Sequence, residues 1–310
     1  MIALASPWHE GEREAQRRVG VADRMEETGR RTIRPFMPDQ HRDFFAHLPF
    51  ALVASSDRQE RVWASLLAGP PGFIASPDPR RLAIDATPAR GDPLGEALKP
   101  GAPLGLLGLD PATRRRNRAN GHIETTSGAG FTLAVEQSFG NCPKYIARRE
   151  IIGERTRRDV AVEPLATLDA EARRLIGEAA TIFVASSAGA GSLPDVSHRG
   201  GLPGFIEIDA EGSLTIPDYS GNFYFNTLGN LIVHPHAGLL VPDFASGDLL
   251  QLHGATEVVW GAREVEAIEG AQRLWRFHPL AGQRLRGALP FRFTESEASP
   301  FSPTTRHIAA

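Results

Sequence analysis

The chain has 310 residues, 41 % of them hydrophobic, and a formal net charge of -3. It can bury the cores of two ordinary domains and has no overall field for nucleic acid or an acidic membrane surface. Its single cysteine, Cys142, excludes an internal disulfide and a multi-thiolate metal site.

Residues 1–35 read as a helical extension, with "SPWHEGEREAQRRVGVADRM" as one helix on which His9, Glu12 and Gln16 share a face. No chemistry is assigned to it. Beyond it the chain repeats itself. "VASS" stands at Val53 and again at Val184, 131 positions on, and "PGFI" at Pro71 and Pro203, 132 on. "GLLGLD" from Gly105 answers "GLLVPD" from Gly238, and the glycines Gly121 and Gly254 follow each, both pairs 133 apart. An ordered set of landmarks with a nearly constant offset marks a duplicated unit. Each unit opens with a short amphipathic helix, "PDQHRDFFAHL" or "LDAEARRLIGEA", and continues as short strands between Gly, Pro and Asp turns. That pattern predicts a small barrel in each unit. The boundaries are expected at 36–155 and 165–295, with a tail at 296–310.

The copies differ where a ligand would matter. Counting back from the shared proline sets Ser65 opposite Ser197, Leu66 opposite His198 and Leu67 opposite Arg199. An arginine beside Gly200 and Gly201 offers a donor fork next to unencumbered backbone, which suits a phosphate; the plainer alternative is an exposed arginine paired with Asp195 or solvent. Downstream, "NTLGNLIVHP" predicts a short helix that starts near Asn226 or Thr227, and such a terminus stabilises an anion. Copy one has Pro93 and Glu96 there instead. The ligand is therefore expected in copy two.

The stretches "SHRGGLPGF" and "DYSGNFYFNTLGNL", followed by the "GLL" strand, resemble the flavin-binding split barrels related to pyridoxamine 5'-phosphate oxidase. The resemblance covers residues 170–260 and, through the repeat, 40–125. It implies a mainly β fold with flanking helices, two tandem split β-barrels, and FMN as cofactor. It places Ser197, His198, Arg199 and Gly200 on the strand beside the ribityl phosphate. Asn226 and Thr227 stand where the family carries a cationic pair, which leaves Arg199 and the helix terminus to hold the charge. Asp218 and Asn222 are implied ribityl or ring contacts. Gln251 matches the family's flavin-contacting glutamine two residues late. The expected function is that of a cytoplasmic FMN-dependent oxidoreductase, the expected partners being an unidentified redox substrate, an electron donor and a second copy of the chain. No membrane or nucleic-acid partner is expected. The basic C-terminal segment of the true oxidase has no counterpart, so vitamin B6 oxidation is not expected. Two other readings stay open: a non-catalytic flavin carrier or sensor, and a haem-binding barrel with His198 or His234 on iron.

The remaining signals read more plainly. "TRRRNRANG" sets Arg114, Arg116 and Arg118 on one face of a strand, read as a solvated or intersubunit face. Cys142 is read as packing, and His234 with His236 as part of a helix-to-strand loop, since no third metal ligand is evident.

Overall fold

The structure is a computed structural model that describes residues 6–156, 159–261 and 263–303. Residues 1–5 of the expected extension and 304–310 of the expected tail lie outside the described residues. The extension forms two helices rather than one, α1 (Glu10–Arg18) and α2 (Ala22–Thr32). The break falls at Gly20, whose φ of +70° ends the first helix.

The first unit runs α3 (Asp39–Ala46), β1 (Phe50–Ser56), β2 (Val62–Ala68), β3 (Ile74–Asp78), β4 (Arg81–Ile84), α4 (Leu94–Ala97), β5 (Pro103–Asp110), β6 (Arg115–Thr126) and β7 (Phe131–Gly140). Two short strands follow, β8 (Ile151–Glu154) and β9 (Ala161–Leu165). The second unit runs α5 (Ala170–Glu178), β10 (Thr181–Ser186), β11 (Asp195–Gly200), β12 (Glu207–Ile208), β13 (Leu214–Tyr219), α6 (Asn226–Val233), β14 (His236–Pro242), β15 (Leu249–Val259), α7 (Arg263–Glu266) and β16 (Ala271–Arg286). A last strand, β17 (Phe291–Phe293), pairs with β8.

The two large sheets share one connection order. The first is β2-β1-β5-β6-β7-β4-β3 and the second β11-β10-β14-β15-β16-β13-β12, with β9 added beside β16. The fold is thus mainly β with flanking helices, two split barrels in tandem.

Three of the four apolar clusters among the described residues hold the two units together. One fills the first unit around Phe45, Leu82 and Leu104, and a second fills the other unit around Trp275, Phe277 and Leu214. The third lies between the units, where Phe50, Leu52 and Ala54 of β1 meet Phe183 and Ala185 of β10. Alternation along β1 sends Ala51 and Val53 to its own core and the residues between them to the interface. Both faces are buried, which is why this strand reads as an unbroken apolar run.

The repeated landmarks have separate physical causes. The glycine of each PGFI turn, Gly72 or Gly204, sits at φ +91° or +88°, a region that side chains rarely adopt. Gly121 and Gly254 mark a register shift in the long strand of each unit. Gly105 and Gly238 mark the interface itself: a Cβ on Gly105 would lie 2.2 Å from the Pro194 carbonyl oxygen, and one on Gly238 would lie 2.6 Å from that of Val62. Gly105→Ala must therefore push the units apart at one point, and chemical denaturation should show a loss of about 1–3 kcal/mol, the usual range for overpacking.

Candidate functional site

A cleft with about 920 Å³ of non-atom space, part of it open to solvent, lies between the two units. One wall comes from the second unit: β11, the end of β13, the loop 219–225 and the start of α6. The other comes from the first unit, through Arg116 and Arg118 of β6 and the segment that carries Asn141, Cys142, Lys144 and Tyr145.

Eight of the nine residues singled out from the sequence line this cleft: Ser197, His198, Arg199, Gly200, Asp218, Asn222, Asn226 and Thr227. Gln251 does not. Its amide nitrogen donates across the interface to the Ala64 carbonyl (3.0 Å) and to Asp92 (3.1 Å). It occupies the place in the second unit that Arg118 occupies in the first, since Arg118 pairs with Leu107 and Gln251 with Leu240 at matching positions of the two sheets.

Arg118 is the reciprocal crossing. Only 2 % exposed, it donates to Asp195 Oδ1 (2.7 Å), Asn226 Oδ1 (2.9 Å), the Val196 carbonyl (2.8 Å) and Ser197 Oγ (2.7 Å). Asp195 also accepts from Asn120 and Asn230, so its carboxylate is well satisfied, while Arg118 Nε has no partner among the described residues. The basic run is therefore not a solvated face. Arg116 and Arg118 point into the cleft, while Arg114, at φ +57°, turns away to bond the Ile146 carbonyl.

The cleft holds more positive than negative charge. Asp218 lies between two guanidinium groups, 3.5 Å from Arg199 and 3.3 Å from Arg273. Arg116, whose Nε donates to the Cys142 carbonyl, is pulled down to about 9 by burial and then by Arg199 and Arg118, and still carries its proton at neutral pH. Burial likewise lowers Arg199 and Arg273, while Asp218 opposes the shift at both. A bound anion would relieve that mutual repulsion.

Helix α6 adds its N-terminus. Its cap residue, Phe225, gives no side-chain bond, its first turn has no acidic residue, and the buried Thr227 Oγ1 has no partner among the described residues. The first unit differs at the same place. There Asp92, buried and pushed up to about 6 by that burial, accepts from the Leu94 N–H at the start of α4 (2.9 Å) and from Ser65 Oγ (2.5 Å). The first copy supplies its own carboxylate where the second presents donors.

Two sequence expectations need correction in detail. Gly200 is small for packing rather than for ligand approach, because a Cβ there would lie 2.1 Å from the Tyr145 carbonyl oxygen. His198 points away from Ser197 and Arg199, as alternate strand residues do. Its ring packs against Phe183, and burial holds it well below the usual histidine range, so it is neutral. Neither ring nitrogen has a partner among the described residues. The rings of His234 and His236 lie 4.9 Å apart and tilted by 37°, outside the cleft, and no group of three or more candidate ligands suits a metal among the described residues.

The cleft also concentrates backbone strain. Three of the five non-glycine residues at positive φ among the described residues, Tyr145, Phe223 and Phe225, line it. Such positions persist only where surroundings enforce them. Tyr145 Oη donates to the Ser220 carbonyl (2.9 Å), and Arg273 stacks 4.8 Å above Phe225. Sequence reasoning missed these aromatic residues and Arg273, because nothing in residue type signals a left-handed aromatic. It saw the basic strand but had no means to place it against the other unit.

No family model matches the chain, and no curated protein matches it. Among solved structures, a putative pyridoxamine 5'-phosphate oxidase from Lactobacillus delbrueckii is similar at 14 % identity and TM-score 0.32, over 39 % of this chain and 98 % of that one. A FAD-binding protein from Mesorhizobium loti is similar at 14 % identity and TM-score 0.28, over 40 % and 97 %. HutZ, the haem storage protein from Vibrio cholerae, is similar at 17 % identity and TM-score 0.27, over 39 % and 96 %. Each spans about the length of one unit.

The two arginines of the cleft should behave differently on substitution. Arg118→Leu strands the buried Asp195 carboxylate and should lower the unfolding free energy by about 3–5 kcal/mol. Arg199→Leu leaves Asp218 paired with Arg273 and copies Leu67 of the first unit, so denaturant titration should show a loss of about 1 kcal/mol or less.

Proposed function

We propose that the chain binds FMN in this cleft, with the flavin phosphate at the start of α6, and that it serves as a flavin-dependent oxidoreductase. The observation that carries the reading is the contrast at the two equivalent helix starts. At one, the Asp92 carboxylate accepts from the first helical N–H, whereas the other has no side-chain cap and shares the cleft with Arg199 and the unpartnered Thr227 hydroxyl. An anion with three acceptor oxygens satisfies helix N–H groups, hydroxyl and guanidinium together.

The other residues fit the rest of such a group. Phe223, Phe225, Tyr145 and Tyr219 give flat apolar surfaces along the cleft, and Asn222 and Asp218 give polar contacts for a ribityl chain. FMN supplies the electron transfer when bound, and the protein supplies orientation and hydrogen bonds. The walls described come from the two units of one chain. The similar FAD-binding and oxidase structures agree with this reading in fold alone, and HutZ makes haem the alternative to exclude. Unpartnered His198 is the residue that haem would need.

The absorption spectrum of the purified protein, followed by heat release of any chromophore, tests the reading. Flavin bands and released FMN are expected; a Soret band would favour haem, and failure to take up added FMN would remove the proposal. Arg199→Leu should weaken FMN binding by about 1.5–3 kcal/mol, the range for a charged hydrogen bond, when followed by flavin fluorescence quenching. Oxidation of a reduced nicotinamide by the holoprotein separates an oxidoreductase from a carrier.

A further inference from the structure

The N-terminal extension is tied to the cleft by more than packing. Helix α1 crosses α6 where two glycines meet: a Cβ on Gly11 would lie 2.0 Å from the Gly229 carbonyl oxygen. Trp8 stacks edge-on with Tyr224 at 5.0 Å, Thr32 and Tyr224 share a hydroxyl hydrogen bond of 2.8 Å, and Arg24 lies 5.4 Å above Phe223. These contacts clasp the loop that holds the strained cleft aromatics.

One polar side chain goes further. Glu12, 4 % exposed, accepts from Asn226 Nδ2 (2.5 Å) through Oε1 and from the His9 backbone N–H (3.0 Å) through Oε2. The other end of the same amide, Asn226 Oδ1, accepts from Arg118 (2.9 Å). Asn226 is thus fixed at both ends, by the extension on one side and the first unit on the other, at the first residue of α6. We propose that Glu12 is a positioning residue of the anion site: it orients Asn226 at the helix start, and its charge sets how tightly the cleft holds an anion.

The charged and titratable groups that face Glu12 are His9 at its own helix cap, Asp195 on β11 and Arg118 on β6; α6 offers the neutral Asn226. Burial, then Asp195, pushes Glu12 up to about 8, so it is protonated at neutral pH and adds no negative charge beside the helix start. Burial lowers His9, so that group is already neutral in the range where Glu12 titrates. Above that range a carboxylate appears in contact with Asn226 and opposes a bound anion. By linkage, the anion favours protonated Glu12, and affinity falls as pH rises through the Glu12 ionisation.

This inference rests on the cleft being an anion site, so its test uses two probes, FMN and inorganic phosphate. Dissociation constants are measured for the wild type, Glu12→Gln and Glu12→Ala at about pH 7 and about pH 9, where the FMN phosphate, with its second ionisation near 6, is already dianionic. The wild type should bind about fivefold more weakly at the higher pH, and Glu12→Gln should lose most of that difference. Any contribution from Arg116 is common to both proteins and cancels in the comparison. Glu12→Ala, which removes the partner of Asn226, should weaken binding at both pH values. A pH-independent wild type, or a Glu12→Gln protein with the full wild-type dependence, overturns the proposal. Phosphate binding with a Glu12-dependent pH effect but no FMN binding would leave it standing while removing FMN; failure of both probes removes both.

Discussion

The structure depends on two side chains that cross between the units in opposite directions. Arg118 leaves the long strand of the first unit to bond the Val196 carbonyl and Ser197, and Gln251 leaves the matching strand of the second to bond the Ala64 carbonyl and Ser65. The pair obeys an approximate twofold relation, since each reaches the equivalent backbone and serine of the other unit. The symmetry ends at the side chains themselves. Each meets a buried carboxylate, Asp195 for the guanidinium and Asp92 for the amide, but the guanidinium brings a positive charge and the amide brings none. The two helix starts differ in charge accordingly, with Arg118 beside Asn226 at one and Asp92 at the other.

The cleft is costly to build, which is itself informative. It gathers arginines that repel one another, an uncapped helix start, an unpartnered hydroxyl and three aromatic residues in left-handed backbone. Arg118 holds the two units together, but the other features do not stabilise the fold, and the first unit carries Leu67 and Asp92 in place of Arg199 and the open helix start. Local rules are broken together where a bound group would satisfy them together.

Much of the fold was legible in the sequence because repetition turns weak patterns into strong ones. The landmarks that kept a constant spacing proved to be a left-handed turn, a register shift and a close approach between units, each with a steric reason to keep its glycine. The second unit's contribution to the cleft was legible for the same reason, through the contrast of Arg199 with Leu67. The first unit's contribution was not. Arg116, Arg118 and Tyr145 are distant in sequence from the residues they face, and no local pattern reports on an interface between two folded units. Gln251 was misplaced because the same strand position points toward the cleft in one copy and toward the closed side in the other. Glu12 was visible as one of three residues on a helix face, but its partner could be known only from the crossing of α1 and α6.

Joining both units in one polypeptide has a consequence beyond geometry. In an assembly of two identical chains, every substitution occurs twice, and a change that suits one site is imposed on the other. Here position 67 and position 199 are separate letters, so one unit can carry leucine where the other carries arginine. The halves also cannot be separated by dilution, since the tether fixes their effective concentration. A cleft whose walls would otherwise form only above a threshold of protein is present in every molecule, at any abundance.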